Sequence, residues 1–197
     1  MKMLAKTLAV LALLLPVLAG CGVNNIPTYE EQAKAAWSQV QNQYQRRADL
    51  IPNLVETVKG FAAQEKEVLT AVVEARAKAT ATNIDASQLS DPAAVQKFQA
   101  AQGELSGALS RLLVTVEAYP DLKSNANFLA LQSQLEGTEN RISVARRDYI
   151  EAVRVYNTEL KTVPGSWFAS WFYPESKPME TFAAEPTASQ PPTVKFN

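Results

Sequence analysis

The chain has 197 residues, of which 19 are Lys or Arg and 20 are Asp or Glu, so its formal net charge is −1. This balance, with an apolar content of 47%, fits one globular domain and excludes a wholly disordered chain or one that coats nucleic acid. The absence of histidine and the single cysteine exclude a Ser-His-Asp triad, a histidine-containing metal site and an internal disulfide bond, and no cofactor is predicted.

The first 20 residues are typical of an export signal. Lys2 and Lys6 flank the start of an apolar run that is shorter than the ~20 residues a helix needs to span a bilayer. Leu18-Ala-Gly-Cys21 follows and resembles the bacterial lipoprotein processing box, in which the cysteine is acylated and becomes the first residue after cleavage. A short uncleaved anchor is the alternative interpretation.

We therefore predict a signal peptide at residues 1–20 and a lipidated tether at residues 21–27, with palmitate-type acyl chains on Cys21. The predicted location is the bacterial cell envelope. Gly22 is not acidic, which favours the periplasmic face of the outer membrane where the envelope has two membranes.

Residues 28–163 are predicted to form helices and no strands. Thr28-Tyr-Glu-Glu31 fits a capping box that would start the first helix. Near Asp49 the sequence allows either a turn and a new helix, with Pro52 in its first turn, or one long helix kinked at Pro52. We favour the turn because two shorter helices would match the other pair in a bundle.

The third and fourth helical segments carry the clearest patterns. Asp91-Pro92 predicts the start of the third segment, in which Gly103 and Gly107 are expected to let a neighbouring helix approach closely. The fourth has apolar residues at heptad spacing from Phe128 to Val163, which implies a helix of about 54 Å. We predict an all-α fold, an antiparallel four-helix bundle of long heptad-patterned helices.

Residues 164–197 are predicted to form an extended tail, in which an aromatic segment is followed by a proline-rich, flexible stretch from Pro174 to Asn197. The aromatic segment either packs on the end of the bundle or forms an interfacial patch for a membrane or a partner. Phe182 and Phe196 are candidate docking points within the tail. The candidate partner contacts are Trp167, Phe168, Trp171 and Phe172.

Longer motifs resemble the bacterial LemA family and cover almost all of the mature chain. They are Trp37-Ser-Gln-Val, residues 46–60, residues 135–142, residues 145–149, Tyr156-Asn157 and the ending from Val163 to Phe182. The resemblance implies an antiparallel four-helix bundle at the cell envelope with no established catalytic activity. Many members have an N-terminal transmembrane helix, which Cys21 replaces here, and many have His at the position of Gln64 and Asn at that of Ile150.

Charged residues within the helical segments have two interpretations. They are Glu65, Arg76, Glu139, Arg141, Arg146 and Asp148. They could hold Mg²⁺ or Ca²⁺ through oxygen atoms alone, but we favour ion pairs that set the register between helices. Arg46 and Arg47 with Asp49 could bind a phosphate or a lipid headgroup, but we favour pairing at helix ends.

The sequence predicts a lipid-anchored scaffold or adaptor of the LemA type that is not an enzyme. Its partners would be the membrane, through Cys21, and an envelope membrane protein, but not nucleic acid. Self-association through an outer helix face stays open. The alternative is a sensor that binds a small ligand or a divalent cation in the bundle core.

Overall fold

The computed structural model describes residues 22–183, and the predicted signal peptide, Cys21 and Phe196 lie outside this range. The α-helices in the described range are α1 (Asn25–Lys59), α2 (Lys66–Ala81), α3 (Pro92–Val116), α4 (Pro120–Lys123), α5 (Ala126–Lys161) and α6 (Gly165–Phe172). A short 3₁₀ helix at Ala86–Gln88 lies between α2 and α3. Residues 22–183 contain no strand, so the all-α prediction is confirmed for this part of the chain.

Helix α1 is continuous through Pro52, so the predicted turn near Asp49 is wrong. A proline inside a helix has no N–H to donate to the carbonyl oxygen four residues earlier, which here belongs to Ala48. Nε of Arg76 in α2 donates to that oxygen at 2.7 Å. A donor from a neighbouring helix therefore replaces the missing backbone hydrogen bond, and the second helix begins only at Lys66.

Helix α1 also begins earlier than expected, at Asn25, so the predicted capping box at Thr28 is wrong. Instead the Thr28 hydroxyl donates back to the carbonyl oxygen of Asn24 at 2.7 Å. The start of α3 is confirmed: the Asp91 carboxylate accepts from the backbone N–H of Ala93 at 2.9 Å, and Pro92 is the first helical residue.

The heptad prediction for the fourth segment is confirmed along most of α5. Phe128, Leu135, Ile142, Tyr149 and Tyr156 are all buried. The last predicted position is wrong: Val163 lies beyond the end of α5 and is 61% exposed.

The buried apolar residues form two groups. An aromatic cluster includes Trp37, Phe98 and Tyr149, and an aliphatic cluster includes Ile51, Leu105 and Leu135. Helices α1 and α3 pass from the aromatic to the aliphatic cluster, while α5 passes back. We call α1, α2, α3 and α5 the helical body.

A polar layer separates the two clusters along the helical body. It contains Arg47 of α1, Gln102 of α3, and Thr138 and Glu139 of α5. Each lies in sequence between residues of the aromatic cluster and residues of the aliphatic cluster. The layer therefore joins the helices at mid-length.

Gly103 and Gly107 lie on the exposed side of α3, and a Cβ built on either meets no atom within 4 Å. The prediction that they allow a close helix approach is wrong. Within residues 22–183, the helices lack a stretch that is both long and apolar enough to cross a membrane.

Candidate functional site

Helix α6 is the most unusual surface feature of the described chain. Four of its eight residues are aromatic, and none is charged. The extended tail expected from residue 164 is wrong here, and one face of α6 packs on the helical body, which was one of the two interpretations of the aromatic segment. A hydrophobic segment with one buried face gains more by folding onto a core than it loses in chain entropy.

Gly165 sets the position of α6. It is buried, and a Cβ at this residue would overlap the backbone carbonyl oxygen of Glu159. Only glycine allows the start of α6 to lie this close to the end of α5. The close approach brings the side chain of Phe168 into the aromatic cluster.

The four predicted contact residues in α6 do not share one environment. Phe168 is buried, whereas Trp167 is 54% exposed, Trp171 71% and Phe172 59%. The ring centroids of Phe168 and Phe172 are 6.4 Å apart. Phe168 therefore fixes α6 to the helical body, and the other three side chains form what we call the aromatic patch.

The N-terminal end of the described chain meets α6. A Cβ built on Gly22 would lie 3.2 Å from Cε2 of Phe168. Nearby, Nδ2 of Asn25 donates to Oε1 of Glu159 at 3.2 Å. The residue that follows Cys21 in sequence therefore lies against Phe168 of α6.

Residues 174–183 form an extended strap across the helical body, so the expected mobility of this segment is also wrong. Met179 and Phe182 are buried in the aromatic cluster. The backbone N–H and C=O of Met179 both pair with the side-chain amide of Asn157, at 2.9 and 2.8 Å. Phe182, which the sequence suggested as a docking point, contacts the core of its own chain.

Phe182 completes the aromatic cluster. Its ring centroid lies 5.8 Å from that of Trp37 and 5.6 Å from that of Tyr149. The guanidinium carbon of Arg146 lies 4.5 Å from the same ring, within range of a cation–π interaction. Arg146 therefore contacts an aromatic ring, whereas the sequence suggested an ion pair for it.

Arg47 is the most buried charged residue that the structure describes, at 1% exposure. Its Nη1 donates to Oε1 of Glu139 at 2.9 Å and to Oγ of Ser106 at 2.8 Å. Its Nη2 donates to Oε1 of Gln102 at 2.6 Å. These bonds join α1, α3 and α5 at the middle of α1, so the favoured prediction that Arg47 pairs at a helix end is wrong. The pair with Glu139 instead fits the role of setting helix register that the sequence suggested for Glu139.

The remaining charged candidates are dispersed over the helical body. Arg46 and Asp49 are exposed within α1, and Asp49 accepts from Gln45 at 2.7 Å instead of capping a helix. Arg141 is also exposed, and Asp148 accepts from the adjacent Arg147 at 3.1 Å.

Glu65 accepts from the Tyr119 hydroxyl at 2.5 Å, and that hydroxyl accepts from Gln64 at 2.9 Å. This hydrogen bond to a carboxylate raises the pKa of Tyr119. Within the described ranges, no three acidic or cysteine side chains converge as a metal-ligand set.

Three buried tyrosines have altered acidity. Burial is the main cause that raises the pKa of Tyr44, Tyr149 and Tyr156, because the charged phenolate is poorly solvated in the core. Tyr149 also donates to the backbone oxygen of Glu180 in the strap at 2.8 Å. The Tyr149 phenol therefore serves as a neutral donor that holds the strap.

An open groove of about 550 Å³ lies between α3 and α5. Leu109, Leu113 and Leu135 supply its apolar surface, and polar residues such as Ser110 and Gln132 border it. The sequence did not single out this groove, because residues that are distant in the chain line it.

Comparisons with known proteins match this chain to one family model and to several similar proteins. The family model described as "LemA family" matches residues 36–196. The proteins named magnetosome protein MamQ 1 and MamQ 2 of Paramagnetospirillum magneticum are each 26% identical over 188 residues, which cover 85% of this chain and 67% of the relative. Magnetosome protein MamQ of Magnetospirillum gryphiswaldense is 24% identical over the same shares.

Proposed function

Because the chain belongs to the LemA family, we propose that it is a non-catalytic, membrane-associated scaffold held at the cell envelope by acyl chains on Cys21. The observation that carries this proposal is the position of Gly22 against Phe168. It brings Gly22, the residue after the proposed lipid-attachment position, and α6 to one end of the helical body. The name of the magnetosome relatives refers to a cellular structure rather than to a reaction, which supports a structural role.

The proposed architecture of the helical body is the antiparallel four-helix bundle expected from the sequence. The order in which α1, α3 and α5 meet the two clusters supports it. In this arrangement a body of about 50 Å, from the 1.5 Å rise per helical residue, extends from the anchored end. An outer membrane, where present, would hold it on the periplasmic face.

The proposed partner is an envelope membrane protein. The sequence placed its contact at Trp167, Phe168, Trp171 and Phe172, but Phe168 is buried in the folded chain. The groove between α3 and α5 has an apolar floor with a polar border, which fits an amphipathic helix of a partner. We propose the groove as the protein contact and the aromatic patch as the membrane-facing end.

Lipid attachment is tested first in cells that are fed a labelled fatty acid. The wild-type chain is expected to carry the label and to fractionate with membranes, whereas Cys21→Ser is expected to lose the label. A wild-type chain that takes up no label, or a Cys21→Ser chain that keeps it, would contradict the lipid anchor.

Partner binding is tested by crosslinking in intact cells and mass spectrometry. Ser110→Arg places a long cation in the groove, and Ser143→Arg makes the same change at an exposed position of α5 outside it. Loss of one stoichiometric envelope protein in Ser110→Arg alone would support the groove. Loss only in a Trp167→Ala, Trp171→Ala chain would assign the contact to the aromatic patch, and crosslinks solely between copies of this chain would contradict the adaptor function.

A further inference from the structure

The aromatic patch presents large apolar side chains to solvent on a well-packed support. Trp167 and Trp171 are four residues apart and therefore lie on one side of α6, with Phe172 next to them. Their exposure leaves apolar area in water at a cost of about 25 cal/mol per Å². A patch of this kind usually marks a surface that is covered in the working protein.

We infer that the bilayer interface covers this patch, and that α6 is a second membrane contact beside the lipid anchor. The inference rests on the proposed acylation of Cys21. The proposed acylation site directly precedes Gly22 in the sequence. Gly22 in turn lies against Phe168, which follows Trp167 directly in α6.

Acyl chains that leave from Cys21 therefore enter the bilayer beside α6. Tryptophan is also the side chain that favours the membrane–water interface, because its ring is large and apolar while its N–H still reaches water or headgroups.

The composition of α6 agrees with an interfacial position. An isolated interfacial helix needs a charged face toward water, but α6 lacks charged residues. The helical body fulfils that need, because Gly165 and Phe168 are buried against it while the two indoles face outward. A single tether would let the body pivot freely, whereas a tether and an adjacent helix in the interface fix its orientation.

The distribution of tryptophan allows a direct test. The chain has three tryptophans, and Trp37 is buried at 1% exposure in the aromatic cluster. The lipidated full-length protein is incorporated into vesicles of phosphatidylethanolamine and phosphatidylglycerol with bromine atoms near the top of the acyl chains. Bromine quenches indole fluorescence only at close range, so quenching would report on Trp167 and Trp171.

The expected result is loss of most of the emission from the α6 tryptophans in brominated vesicles, with reduced quenching by aqueous acrylamide. In a Trp167→Phe, Trp171→Phe chain the remaining emission should be insensitive to bromine. Adding Val114→Trp to that chain places an indole at a 73% exposed position of α3, next to the aliphatic cluster, and this control should also be insensitive.

Two results would overturn the inference and are distinguishable from each other. A protein that floats with the vesicles but shows no bromine quenching would retain its lipid anchor while its patch faces water or a protein. A protein that does not float would refute the lipid anchor and this inference together. Equal quenching of the Val114→Trp control would show adsorption along the whole body rather than contact through α6.

Discussion

The half-exposed carboxylate of Glu139 is important for stability because it pairs with the buried guanidinium of Arg47. Glu139→Gln leaves the buried guanidinium of Arg47 with neutral acceptors only. Hydrogen bonds to charged groups contribute about 1.5–3 kcal/mol, so we expect the free energy of unfolding to fall by about 1–3 kcal/mol. Urea titration measures it, and Glu136→Gln at an exposed position of the same helix is the control. Equal losses in both variants would contradict a stabilising role of the layer.

Burial of Tyr149 is expected to lower the free energy of unfolding at high pH. Its pKa is raised in the folded chain by burial, so the folded state keeps the phenol proton above about pH 10, where the unfolded chain loses it. The stabilisation is complete below pH 10 and falls by about 1.4 kcal/mol per pH unit above it. Tyr44 and Tyr156 shift in the same direction and add to the slope.

In Tyr149→Phe the free energy of unfolding should therefore fall less steeply with pH above pH 10, by the equivalent of about one proton. Near pH 7 the lost hydrogen bond to Glu180 should lower the free energy of unfolding by about 1 kcal/mol. Denaturant titrations between pH 8 and 11 would show it. An unchanged slope would mean that Tyr149 ionises equally well in both states.

Local patterns predicted individual residues unevenly. The cap at Asp91 depends on its immediate neighbours, so the sequence predicted it correctly. Arg46 and Arg47 look equivalent in sequence, yet one is exposed and the other buried. Their difference depends on the helical phase, which the sequence could not provide once a turn was expected at Asp49.

At the scale of elements, Pro52 and Arg76 form a coupled pair. Arg76→Met alone should leave the Ala48 carbonyl without a donor and cost about 1–3 kcal/mol. Pro52→Ala restores a backbone N–H to the same carbonyl, so Arg76→Met should cost much less in that background. Unfolding free energies of the two single variants and the double variant give the coupling, and additive effects would refute it.

This pair also explains why a turn near Asp49 was favoured over the single long helix that the sequence also allowed. The rule that proline ends a helix is local, while the compensating donor comes from another helix. The strap illustrates the same limit, since its polar composition indicated mobility but two separated apolar residues, Met179 and Phe182, find places in the core. By contrast, the periodicity of α5 was sufficient to predict that helix.

At the scale of the whole molecule, the strap connects distant parts of the chain. Phe182→Ala should lower the free energy of unfolding by about 3 kcal/mol, the low end for loss of a buried phenyl group, and should expose the indole of Trp37. A red-shifted Trp37 emission in the Trp167→Phe, Trp171→Phe background would report the exposure. Thr181→Ala, at an exposed strap position, is the control, and equal effects of the two changes would contradict the role of Phe182.

The contact between Trp37 and Phe182 also decides the order in which the core can be completed. A chain is synthesised from its N-terminus, so Trp37 is available long before Phe182. The aromatic cluster therefore stays incomplete until the strap has been made, and contacts between residues so far apart in sequence form slowly. The strap is the last part of the described chain that can close the core.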